Sequence, residues 1–214
     1  MVVKIEIYNQ MERCFDIDGN AAVRDDGIVD VDGSVRMISG ASTSIPVKFG
    51  RVTGQFYCSY TSITSLEGCP DWVGGIFACG VTHITSLQGS PRYVGGQMFC
   101  NDTAIENLQG GPEFIGGGII FFTTPFSHKF YNDPDTQLAA VQQYPQMLYS
   151  LLHYNHNPSQ SVQLAAISKQ PTLIEFIENP TRLIQLTAVK ADPDVYELIE
   201  NPDPMITQYM RRQR

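Results

Sequence analysis

A 21-residue period runs through the first half of the chain and restricts it to a fold built by stacking coil upon coil. One unit reads Gly54-x-Phe56-x-Cys58-x-x-Thr61-x-Ile63-x-x-Leu66-x-Gly68-x-Pro70. It returns as Gly75, Phe77, Cys79, Thr82, Ile84, Leu87, Gly89 and Pro91. It returns again as Gly96, Met98, Cys100, Thr103, Ile105, Leu108, Gly110 and Pro112, so matched positions differ by 21 (79 − 58, 100 − 79, 91 − 70). A fourth unit keeps the register from Gly117 to Thr124 and stops. Upstream, Val31, Gly33, Val35, Met37 and Ile45 lie 21 before Val52, Gly54, Phe56, Cys58 and Leu66. In Phe56-x-Cys58 two side chains share one face of a strand. Ile63 and Leu66, beyond a polar turn, point into the same interior. Only the coils above and below can cover that interior, at roughly 1.5–3 kcal/mol per large apolar side chain.

The pattern Phe56-x-Cys58-x-x-Thr61-x-Ile63-x-x-Leu66 resembles the leucine-rich repeat consensus, with Thr61, Thr82, Thr103 and Thr124 at the usual Asn position. Val73-Gly74-Gly75, Val94-Gly95-Gly96 and the Leu-x-Gly-x-Pro ending resemble a variant found in bacterial and bacteriophage proteins. Cys, Phe and Ile stand where Leu is usual. The resemblance covers about residues 29–124 and implies a β-solenoid, with no particular partner. Each Thr hydroxyl is expected to bond loop backbone, where an unsatisfied buried group would cost about 1–3 kcal/mol.

Beyond Pro125 the punctuation changes. Gln137-Leu-Ala-Ala-Val, Gln163-Leu-Ala-Ala-Ile and Gln185-Leu-Thr-Ala-Val are each followed by a proline, at Pro145, Pro171 and Pro193. Asn157-Pro158, Asn179-Pro180 and Asn201-Pro202 recur at 22 (179 − 157, 201 − 179). Asn or Asp before a proline is a helix-start signal, which Asp133-Pro134 and Asp192-Pro193 share. Each unit is therefore read as a pair of short helices, with Leu173, Ile174, Phe176 and Ile177 forming one buried stripe. The segment is similar to short helical repeats that recur in phage-encoded proteins. The expected architecture is an α+β repeat protein: an N-terminal strand and hairpin cap over 1–28, a β-solenoid over 29–124, a junction over 125–132 and an α-solenoid over 133–214. In the cap, Val3, Ile5 and Ile7 alternate with Lys4, Glu6 and Tyr8, as in a half-buried strand.

Composition limits the function. Hydrophobic residues make up 43% and charged ones 17%, which favours a folded chain. A net charge of −8 disfavours a general nucleic-acid binder, which needs a basic face. No apolar run approaches the roughly 20 residues that span a bilayer, and the N-terminus lacks a signal-peptide pattern, so the expected setting is cytoplasmic. Five cysteines do not make a secreted disulfide framework.

The candidate chemistry is thin. Cys58, Cys79 and Cys100 form a column, but parallel side chains about 4.8 Å apart do not converge as metal ligands do, and they are read as core. Asp16-Ile-Asp18-Gly19-Asn20 and Asp30-Val-Asp32-Gly33-Ser34 resemble the start of calcium loops without the closing Glu, and are read as Asp-Gly turns. His153 and His156, three apart, could share a helix face. Phe126, His128, Lys129 and Tyr131 cluster in the junction, where a pocket for a ligand or a reaction is the weakest of the readings. No catalytic, cofactor-binding or metal-ligating residue is assigned. The outward strand positions are Gln55, Tyr57 and Ser59; Ile76 and Ala78; Gln97, Phe99 and Asn101; Ile120 and Phe122. They hold no charge and several large apolar groups, which marks an interaction surface. A protein partner, a second copy of the chain, or cover from elsewhere in the chain could occupy it. The leading expectation is a non-catalytic protein-binding scaffold, a bacteriophage-encoded inhibitor or modulator of a host defence protein. The alternative is a self-assembling component of a virion or particle.

Overall fold

The computed structural model describes residues 2–40, 42–154 and 156–213, and the chain divides into two compact units, Met1–His128 and Lys129–Arg214. The first is a parallel β-solenoid of about four turns and the second is helical. Among the described residues no helix is long and apolar enough to cross a membrane.

The first unit opens with helix α1 (Val2–Cys14), where an alternating strand was expected. The alternation ends at Ile7, and the positions that turn inward are Lys4, Ile7, Gln10, Met11 and Cys14, a helical spacing. Ile5, which the strand reading would bury, is 57% exposed. Strands β1 (Phe15–Val23) and β2 (Val29–Met37) follow as an antiparallel hairpin. Its turn is at Arg24–Ile28, where Gly27 takes a φ of 85° and its N–H donates to the Arg24 carbonyl. The two Asp-Gly pairs are therefore not turns. Gly19 and Gly33 face each other in mid-strand, and a Cβ on either would sit 2.0–2.2 Å from the opposing carbonyl oxygen. Only glycine permits that approach.

From β2 two parallel ladders diverge. One runs through β3 (Phe49–Val52), β5 (Trp72–Val73), β7 (Tyr93–Val94) and β9 (Phe114–Ile115). The other runs through β4 (Phe56–Tyr57), β6 (Phe77–Ala78), β8 (Met98–Phe99) and β10 (Ile119–Ile120). Each coil gives one short strand to each ladder. The bend between them holds Gly74, Gly95 or Gly116, where a Cβ would meet the carbonyl oxygen of the coil before at 2.1–2.2 Å. The register is 21 throughout, as Phe56↔Phe77 and Phe77↔Met98 show.

The coil interior matches the repeat. Phe56, Cys58, Ile63 and Leu66, and their equivalents up to Met98, Cys100 and Ile105, are fully buried. Thr61, Thr82, Thr103 and Thr124 are buried too, and each hydroxyl donates to the carbonyl three residues earlier, at Cys58, Cys79, Cys100 and Phe121 (2.6–2.8 Å). The residue before each Thr is left-handed: Tyr60, Val81, Asp102 and Thr123 have φ of 54–59°. The turn needs that geometry, and the interior contacts impose it on side chains that disfavour it.

The expected junction over 125–132 is itself helical, as α2 (Pro125–Asn132). Then come α3 (Pro134–Gln143), α4 (Met147–His153), α5 (Gln160–Lys169), α6 (Arg182–Ala191) and α7 (Pro204–Gln213). The 3-10 helices Pro171–Phe176 and Pro193–Leu198 lie after α5 and α6. Helices α3, α5, α6 and α7 stack in sequence, giving the expected pairs with a tighter second member. Asp133 and Asp192 act as caps, accepting from Thr136 and Asp194 N–H. The Asn-Pro pairs do not start helices. The residue after the proline does: Ser159 accepts from Val162 N–H and Thr181 from Ile184 N–H. The recurring Gln has a structural task. Gln163 Nε2 donates to Pro158 O (2.9 Å), and buried Gln185 donates to Pro180 O (2.9 Å) and Asn201 O (3.4 Å) while accepting from Asp203 N–H (2.8 Å).

Candidate functional site

The second ladder places the expected surface residues in true columns. Tyr57, Ala78, Phe99 and Ile120 follow one another strand by strand. Tyr57, Ile76, Phe99, Ile120 and Phe122 are all half-buried, as are Gln55, Ser59 and Asn101, and Gln97 is exposed. Ala78 departs from the expectation: it is only 6% exposed. Its small methyl comes between Tyr57 and Phe99 in the column.

The face is not free of charge at its N-terminal end. The column continues back onto β2 through Arg36, paired with Tyr57, and the Arg36 guanidinium lies 4.8 Å over the Tyr57 ring. Across the hairpin, Asp16 pairs with Arg36 and Asp18 with Ser34. A cavity of about 690 Å³ opens here, lined by Tyr8 and Glu12 of α1 with Asp16, Asp18, Arg36 and Tyr57. The outward positions predicted from the repeat begin at Gln55 and leave out this notch, because its walls come from α1, β1 and β2 rather than from successive coils. The surface runs from a charged notch at one end to Phe99, Ile120 and Phe122 at the other.

The cysteine column is as expected, with Cys58 N–H bonded to Ala78 O and Cys79 N–H to Phe99 O in successive coils. All five cysteines are buried and unpaired in disulfides. Burial pushes the Cys69 and Cys79 thiols well up, with the neighbouring thiols adding to it, and takes Cys100 to about 12. Such thiols are poor nucleophiles at neutral pH. Among the described residues no three His, Cys, Asp or Glu side chains form a group that could hold a metal ion.

The histidines do not share a helix face. His153 ends α4 and stacks on Tyr149 (5.4 Å), whereas His156 lies beyond the helix and stacks on Tyr131 (4.8 Å). Of the junction residues, Phe126 packs on Phe121 of the solenoid (5.1 Å). Tyr131 packs within the helical unit, and burial raises its phenol to about 12, with Tyr154 adding to the effect.

Two surface features escaped the sequence reading. On the first ladder Arg51, Trp72, Tyr93 and Phe114, each 21 apart, form one stack. The guanidinium lies 3.5 Å over Trp72, and the rings follow at 5.2 and 4.8 Å within 4° and 11° of parallel. The signal was an aromatic residue before each Val-Gly-Gly. Second, Phe176, assigned to a buried stripe, is 42% exposed, because Leu173, Ile174 and Ile177 already fill the interface and its ring turns beside Tyr149 (5.0 Å). No family model, curated protein or solved structure matches this chain.

Proposed function

We propose that the chain is a non-catalytic scaffold that holds a protein partner against the second-ladder face. The observation that carries this reading is the face itself: Tyr57, Ile76, Phe99, Ile120 and Phe122 remain part-exposed on a rigid ladder beside a charged notch. Aromatic anchors on a preorganised surface, with charge at the rim, are what protein interfaces use. The inaccessible, high-pKa thiols support a role without covalent chemistry. The biological setting that fits the repeat resemblance is a bacteriophage-encoded inhibitor or modulator acting in the host cytoplasm.

The test compares affinity purification with the wild-type chain and with Tyr57→Asp/Phe99→Asp, each checked for folding by circular dichroism. Loss of a specific, stoichiometric partner with the double variant is the expected outcome. Equal recovery removes this face from the interaction. Concentration-dependent self-association in light scattering, abolished by the same variant, would assign the face to a second copy and favour the particle-component reading.

A further inference from the structure

We infer that the helical unit carries a second docking groove, independent of the strand face, for an extended peptide that is both basic and apolar. A groove of about 440 Å³ lies between the two 3-10 helices. One repeat lines it with Phe176, Ile177 and Glu178, and the next supplies Leu198, Ile199 and Glu200, each 22 residues on (198 − 176, 200 − 178). Phe176 is 42% and Leu198 38% exposed, so the groove offers apolar surface to solvent. Its lining has three carboxylates, with Glu175 the third, and no basic side chain.

The walls are held in place before anything binds. Gln185, buried, links the loop at Pro180 to the loop at Asn201 and accepts from Asp203 N–H. The Asn179 backbone is left-handed, at φ 53°, where the first loop turns into Pro180. A preformed groove loses little ordering entropy on binding.

Charge and shape together select the occupant. An arginine or lysine can lie with its alkyl stem on Phe176 or Leu198 and its cationic head at Glu178 or Glu200. An acidic segment would meet only like charge. The lining repeats with the array, and stacked helices lie about 8–10 Å apart, close to one turn of an extended polyproline-II chain, three residues at about 3.1 Å each, which returns every third side chain to the same face. A matching peptide therefore places a basic residue at every third position with apolar residues between. In the sequence, Tyr154 lies 22 before Phe176 and is 46% exposed, with His153 and His156 at the positions of Glu175 and Glu178.

The test is fluorescence anisotropy with the full chain and a labelled peptide of arginine at every third position separated by leucine and alanine. Saturable binding that weakens as salt is added is expected. Glu178→Lys/Glu200→Lys should weaken it about tenfold, and Phe176→Ser comparably, at exposed positions where folding is retained. Tyr57→Asp/Phe99→Asp should leave it unchanged, which separates this groove from the strand face. A peptide of the same composition with its arginines clustered at one end should bind less tightly. No binding, equal binding of the clustered or a glutamate-substituted peptide, or indifference to the Glu178/Glu200 reversal would each overturn the inference.

Discussion

The two units solve one problem, holding repeat to repeat, with different atoms. In the solenoid the backbone does it: Phe56, Cys58, Gly74 and Gly75 N–H groups all donate to carbonyls of an adjacent coil. In the helical unit the backbone bonds among the described residues stay local, within helices, caps and turns, and repeats are joined by packing and side chains. Gln160 Nε2 bonds Thr181 Oγ1 (2.8 Å), Arg182 pairs with Asp203, and Gln185 bridges two loops. Backbone ladders accept any side chain that fits the interior, so the solenoid's sequence constraint falls on volume and on glycine. Side-chain bridges demand particular residues, so the helical unit's constraint falls on Gln, Asp and Thr. The comparison can be broken with single changes, because each unit has its own reporter. The only tryptophan, Trp72, and all five cysteines lie in the solenoid.

The largest effect is expected from Gly95→Val. Its Cβ would meet Gly74 O at 2.2 Å, backbone against backbone, and the solenoid should lose about 3 kcal/mol or more. Denaturant titration should show an earlier Trp72 transition and earlier thiol reactivity, with the helical circular-dichroism transition in place. Alkaline pH should separate the units next. The folded solenoid keeps its Cys69, Cys79 and Cys100 protons where an unfolded chain releases them. The native state then binds more protons, and its stability falls as pH rises above about 8.5. In the helical unit Tyr131 has the same sign of effect, but only above about pH 10, where an unfolded phenol begins to ionise. Unfolding midpoints measured from pH 7 to 11 should show the thiol-bearing unit weakening first.

Gln185→Leu reverses the target. It strands the Asp203 N–H and two loop carbonyls, and should cost the helical unit about 1–3 kcal/mol while leaving Trp72 fluorescence untouched. Tyr93→Ala removes the middle ring of the outer stack. A loss of about 1–2 kcal/mol is expected, with a red shift of Trp72 emission in the native state. The smallest change is a gain. Val81→Gly relieves a β-branched residue at φ 56° and should raise the solenoid's stability by about 0.5–1 kcal/mol.

These residues also mark where the sequence could be read and where it could not. Spacing exposed the coils, the buried Thr and Cys columns and the helix pairs, because periodic burial leaves a periodic pattern. Position within a repeat was harder to read. Val81 and Tyr60 give no hint of a left-handed backbone, since the turn is imposed by packing on both sides of it. Gly19 and Gly33 looked like turn residues because the same lack of a Cβ serves a turn and a close strand crossing. The N-terminal alternation was too short to separate a strand from a helix. At the candidate face the outward residues followed from period-two alternation. The notch did not, since Arg36, Asp16 and Glu12 come from three elements that no spacing rule connects.

The bends at Gly74, Gly95 and Gly116 carry a last consequence. Because each of these residues lies against the carbonyl beneath it, a coil one residue longer or shorter would throw every later bend out of line. The structure can grow or shrink only by whole turns of about 4.8 Å. Duplicating one in-frame segment of the gene would lengthen both ladders at once, and the reach of the protein could be adjusted by copying alone.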